Sequence, residues 1–162
     1  MDTALDICTG IGLGCAAGIR PFLPGLVAGA FAAADLTIDF EGTDLVFLEQ
    51  TGWLLALVIA LIAVVLAQRT MGERADSGPL ATLLLVVSAG IGALLFAGAL
   101  ADHSDIWWPG LIGGVAFALL GYFATSDLLA RTRARLDAEA AAALTVYAEG
   151  VALIVAILAI LA

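Results

Sequence analysis

The chain has 162 residues, of which 63% are hydrophobic and only 13% charged, and its mean hydropathy is +1.12. Soluble domains are about half apolar and about a quarter charged, and so short a soluble chain cannot enclose this much apolar material in a core. Lipid-facing side chains, by contrast, are apolar by necessity. The net charge of −9 comes from 15 acids against six arginines, with no lysine at all. That balance excludes nucleic acid as a partner, because phosphates require basic patches, and argues against polybasic attachment to anionic lipid. The expected partner is the lipid bilayer itself.

The N-terminus (Met1, Asp2, Thr3, Ala4, Leu5, Asp6) is acidic, whereas a secretory signal opens with basic residues, so the first apolar stretch is expected to belong to the mature protein. Six apolar stretches follow, roughly Leu5–Ile19, Pro21–Ala34, Leu45–Ala67, Leu80–Ala101, Ile106–Ser126 and Ala138–Ala162. The last four match the approximately 20 residues that span a hydrocarbon core. The first two are shorter and are divided at Arg20-Pro21. They fit two short tilted spans, a re-entrant hairpin or one broken crossing. The fold class expected is all-α, a single transmembrane domain over 1–162 made of about six helices.

Cys8 and Cys15 lie seven residues apart in the first stretch, which on one helix separates them by roughly 10 Å, too far for a disulfide. They are expected to be small packing residues. Gly10, Gly14 and Gly18 form a ladder at four-residue spacing, repeated by Gly25 and Gly29 and by Gly110 and Gly114. Helices in lipid associate through close backbone approach, which glycine permits. These glycines therefore predict tight packing inside the chain, or else a homo-oligomer contact.

The segment Gly18-Ile19-Arg20-Pro21-Phe22-Leu23-Pro24-Gly25 is the most informative. Pro21 and Pro24 each lack a backbone donor and are expected to break the helix. Irregular backbone at membrane depth survives only when shielded by protein or lining a wet cavity. Arg20 is then either a turn charge on the cytoplasmic side or a buried functional cation. Glu149 lies well inside the last stretch. Intramembrane acids face the bundle interior, a partner charge or water. Glu149 is read either as an ion or proton site, paired with Arg20 or titrating by itself, or as a first-turn acid favoured by the helix dipole.

The arginines fall in three places: Arg20; Arg69 and Arg74; Arg131, Arg133 and Arg135. With six crossings all three lie on one face, and the acid-rich segments (Asp2 and Asp6; Asp35, Asp39, Glu41 and Asp44; Asp102 and Asp105) lie on the other. The positive-inside rule makes the arginine face cytoplasmic in a multi-pass plasma-membrane protein. Trp53, Trp107 and Trp108 open apolar stretches beside the acidic segments, where an interfacial aromatic belt is expected.

A weak internal repeat pairs Gly10-Ile11-Gly12 with Gly90-Ile91-Gly92 and Pro24-Gly25-Leu26 with Pro109-Gly110-Leu111, and Glu49 before Gly52 echoes Glu149 before Gly150. Halves 1–68 and 79–162 of three helices each would run in opposite directions, the inverted-repeat layout of many transporters. No nucleophile elbow, zinc-protease motif or phosphate-binding loop is present. His103 is the only histidine, and the absence of lysine leaves no Schiff-base site. Neither an enzyme, a metal nor a cofactor is therefore expected.

The stretch Gly18-Ile19-Arg20-Pro21-Phe22-Leu23-Pro24, preceded by a glycine-rich helix, resembles the G-x-R-x-F-x-P stretch of a bacterial family of small integral membrane proteins known as a domain of unknown function, DUF4126. That resemblance implies a membrane location and no activity, and carries over no catalytic or binding residue. The function expected is a small channel or secondary transporter for a small ion or solute, using Arg20, Pro21, Pro24 and Glu149. The alternative is a non-transporting scaffold that packs through its glycine-rich faces.

Overall fold

The computed structural model describes residues 2–34, 36, 40, 43–71, 78–101, 107–136 and 138–161. Among them are six α-helices and no strand: α1 (Asp2–Ile19), α2 (Phe22–Ala32), α3 (Thr51–Met71), α4 (Pro79–Ala101), α5 (Trp108–Arg133) and α6 (Ala138–Leu161), with a 3-10 turn at Val46–Glu49 before α3. Thus the all-α expectation holds for the described residues. Among the described residues three helices, α3, α4 and α5, are long and apolar enough to cross a membrane, whereas the apolar part of α6, Val146–Leu161, is shorter than the span expected of the last stretch. The predicted stretch Leu45–Ala67 is interrupted at Gln50, whose ψ of 137° is extended.

Prolines sit at helix starts. Pro79 and Pro109 occupy first-turn positions of α4 and α5, where a missing N–H costs nothing. Gly78, at φ 107°, supplies the left-handed residue that turns the chain into α4. At the first break the Arg20 N–H still donates to the Ala16 carbonyl at 3.0 Å; Pro21 has no N–H to continue the ladder and instead caps α2. Pro24 falls in the first turn of α2, so it does not break the helix as expected from sequence. The break belongs to Arg20 and Pro21 alone.

α1 is the axis, packing on α4, α5 and α6. Its direction against α5 follows from two glycines. A Cβ on Gly14 would meet Phe117 at 3.2 Å, and one on Gly18 would strike the Ala118 carbonyl and the Tyr122 nitrogen (2.7 Å), so the two helices run parallel. Gly10 lies against Phe96, and a Cβ on Gly92 would lie 3.6 Å from the Gly14 carbonyl, so α4 runs antiparallel to α1. α2 follows α4 instead: Gly25 is near Ile91 (3.5 Å), and Phe40, further along the chain, is against Gly98. The chain therefore reverses at Arg20-Pro21, and α1 and α2 form a hairpin. Gly25 and Gly29 in turn face Leu57 and Leu54 of an antiparallel α3.

The glycines singled out from sequence are thus occupied inside the chain. Gly110 and Gly114 oppose Ala97 and Gly92 backbone atoms on α4. Gly52, Gly90 and Gly150 would meet nothing within 4 Å. At Gly90, exposed in the interior of α4, alanine removes backbone entropy from the unfolded chain and is expected to stabilise by about 0.5–1 kcal/mol. A thermal melt in detergent checks this as a small rise in Tm.

The two halves pack differently. α2 has 11 residues where its counterpart α5 has 26, and α1 packs on α6 whereas α3 packs among the described residues only on α2 and the 3-10 turn. Glu49 ends that turn, while Glu149 lies inside a helix. Large apolar side chains such as Ile59, Val86, Ile112, Leu120, Phe123 and Leu158 are exposed around the outside. The polar Ser88 is buried instead. Trp108 is exposed, and Trp53 stands edge-on to Phe47 with ring centroids 5.4 Å apart.

Candidate functional site

The hairpin stops short of its neighbours. Its tip, Gly18 to Phe22, lies level with Tyr122, and α5 continues to Arg133, about 16 Å further at 1.5 Å per residue. The space left below the tip is a partly open cavity of about 350 Å³ bordered by α3, α4, α5 and α6. From the hairpin come Arg20, Pro21 and Phe22. α3 gives Leu61, Val64, Val65 and Gln68, and α4 gives Ala81, Leu84 and Ser88. The α5 wall carries Tyr122, Thr125, Ser126, Leu129 and Arg133, and α6 contributes Glu149.

Helix periodicity builds these walls. Residues 122, 125, 126, 129 and 133 of α5 follow the i, i+3, i+4, i+7 spacing of one face, as do 61, 64, 65 and 68 of α3. The depth is consistent along three helices. Ser88 is nine residues from the start of α4, Glu149 eleven from the start of α6 and Leu61 ten from the end of α3, which is about 14–16 Å in each case.

Of the residues predicted from sequence, Arg20, Pro21 and Glu149 border this one cavity, while Pro24 is fully buried in packing and does not line it. Glu149 is half-buried and eleven residues inside α6, so the first-turn reading is replaced by an interior one. Arg20 and Arg133 are half-buried, and each makes a polar or electrostatic contact.

The fifth apolar stretch was expected to end at Ser126, whereas α5 runs on to Arg133, its last residue. Arg131 and Asp127 pair one turn apart on its exposed side at 2.7 Å. The signal for Arg133 was available: Tyr122, Ser126 and Arg133 share a helical face that Asp127 and Arg131 do not. Asp6, expected in an acid-rich segment on the opposite face, is buried in α1 and engaged in a contact of its own, away from this cavity.

Cys8 and Cys15 are free thiols, as their spacing requires; Cys8 is exposed and Cys15 half-buried, so the packing role expected of both fits Cys15 alone. Asp44 is exposed. Asp35, Asp39, Glu41, Arg74, Asp102, His103 and Asp105 lie outside the described residues. No group of three metal-ligating side chains occurs among the described residues.

The chain matches no protein-family model, no curated protein and no solved structure. Its chemistry is therefore argued from the cavity: two guanidiniums, one carboxylate, several hydroxyls and an aliphatic wall, within helices whose outer faces are apolar.

Proposed function

We propose that this chain is a multi-pass plasma-membrane protein that carries a small ion or solute, with the cavity under the α1–α2 turn as its binding chamber. The observation that carries the reading is the meeting of Arg20, Arg133 and Glu149 around one cavity inside a chain that exposes apolar side chains on its outside. Glu149 lies well inside α6, where a charge in an apolar helix is costly and marks an ion or substrate pathway. The arginine-bearing connections then face the cytoplasm, and the cavity reaches inward from that side.

Beyond the hairpin tip, Gly10, Gly14, Gly92 and Gly114 bring α1, α4 and α5 into backbone contact, which favours a carrier closed on its outer side over an open pore. A 3+3 inverted origin fits the motif echoes, with the second half having kept long helices and the first having shortened α2. A scaffold role would have to use other surfaces than the ladder glycines, which neighbours within the chain already cover. The resemblance to the DUF4126 family is compatible with this membrane reading and adds no activity.

The test is flux into proteoliposomes under gradients of chloride, potassium and short-chain carboxylates. Saturable flux of one probe is expected, reduced at least tenfold in Arg20→Ala and in Glu149→Gln protein that still runs as a monodisperse species. Folded wild-type protein that moves none of them would end the carrier reading.

A further inference from the structure

We propose that α3 is the inner gate of the cavity: its half beyond Leu57 closes onto α4, bringing Leu61, Val65 and Gln68 against Ser88, Leu84 and Ala81. This rests on the carrier reading and names the element that occludes its ligand. α3 is held at one end only. It packs on α2 and the 3-10 turn, with Leu54 and Leu57 against Gly29 and Gly25. Among its described residues Leu57 alone is fully buried, and none has a Cα within 8 Å of α4, α5 or α6. Packed helices, with axes about 8–10 Å apart, bring Cα atoms closer than that.

The separation departs from what the topology favours. α3 and α4 are consecutive and antiparallel, and only residues 72–78 join them. Helices linked this shortly normally pack as neighbours, yet here the cavity lies between them. The two facing walls already match. Leu61, Val65 and Gln68 lie ten, six and three residues from the end of α3, and Ser88, Leu84 and Ala81 lie nine, five and two from the start of α4. All six line the cavity, and the three pairs keep one constant offset in depth. Gly92, Gly110 and Gly114 lock α4 to α5 backbone to backbone, which leaves α3 as the wall that moves. Closing the gap gains van der Waals contact along both walls.

The test is disulfide trapping in proteoliposomes, with Cys8 and Cys15 changed to serine. A disulfide needs Cα atoms within about 7 Å, closer than α3 and α4 stand in this structure. Oxidation of Val65→Cys/Leu84→Cys protein by copper–phenanthroline, followed as loss of maleimide-reactive thiol, therefore reads closure directly. The control pair is Ile59→Cys/Val86→Cys, both on exposed faces. The inner pair is expected to form its bond at least tenfold faster than the control. Flux of whichever probe the wild type moves should then fall at least tenfold and return with dithiothreitol. Spin labels at the exposed positions Thr70→Cys and Leu83→Cys, which leave the walls intact, are expected to report two distances.

A bond no faster than the control, or a single spin-label distance, would overturn the gate and leave the carrier reading standing. A complete bond that leaves flux unchanged would overturn it too. Rapid bond formation in protein that moves no probe would remove the carrier reading and leave the closing movement of α3 in place.

Discussion

Replacing Gly114 by leucine is expected to abolish recovery of folded protein. A Cβ at this position would collide with the Gly92 carbonyl and lie 2.6 Å from the Ala93 Cα. Both are backbone atoms of α4, so no side chain can rotate away. Inserting even one methyl into well-packed structure costs about 1–3 kcal/mol, and leucine would have to part α4 from α5 along the interface that also holds Gly110 against Ala97. Gly114→Ala is expected to lower Tm markedly and Gly114→Leu to leave only aggregate in size-exclusion chromatography. The paired control is Gly90→Ala on the open side of α4. A Gly114→Leu protein that elutes and melts like wild type would mean that these helices do not meet at this glycine.

The second large effect is expected from Thr125→Trp. Thr125 is half-buried and lines the cavity of about 350 Å³. Because the cavity already provides room, the indole fills empty space and avoids the overpacking cost of a full core. It also removes the volume that a ligand needs. Binding and flux should fall at least tenfold, with Tm changed by no more than a few degrees. A Tm loss as large as that of Gly114→Ala would show that the site is packed solid, and unchanged binding or flux would show that the ligand sits elsewhere.

Much of the helical layout was legible in the sequence. Hydropathy and charge marked all six helices, and the four-residue glycine spacing marked the α1–α4–α5 contacts, because in lipid the close approach of backbones is itself the packing signal. The first two stretches were visibly shorter than the other four, and the place of Arg20 at the tip of a hairpin that stops short follows from that shortness, although the sequence left its role open. What hydropathy could not separate was the end of α5. Its last turns carry Asp127, Arg131 and Arg133, and mean polarity reads such residues as a connection, although their faces differ.

The role of Pro24 was misjudged because proline breaks a helix only beyond its first turn, and the register of α2 was not fixed until Pro21 was seen to cap it. Asp6 gave no local signal, since its burial depends on neighbours far away in sequence.

The account turns on whether the cavity below the α1–α2 turn is wet while the outer helix faces lie in lipid. The most direct measurement is thiol accessibility in membranes, with Cys8 and Cys15 changed to serine and single cysteines placed in turn at Thr125, Leu129, Ile59 and Phe123. A charged, membrane-impermeant thiosulfonate applied from the arginine side is expected to modify Thr125→Cys and Leu129→Cys and to spare Ile59→Cys and Phe123→Cys. Equal modification at all four positions would contradict the membrane reading, and protection of Thr125→Cys and Leu129→Cys would contradict the solvated chamber.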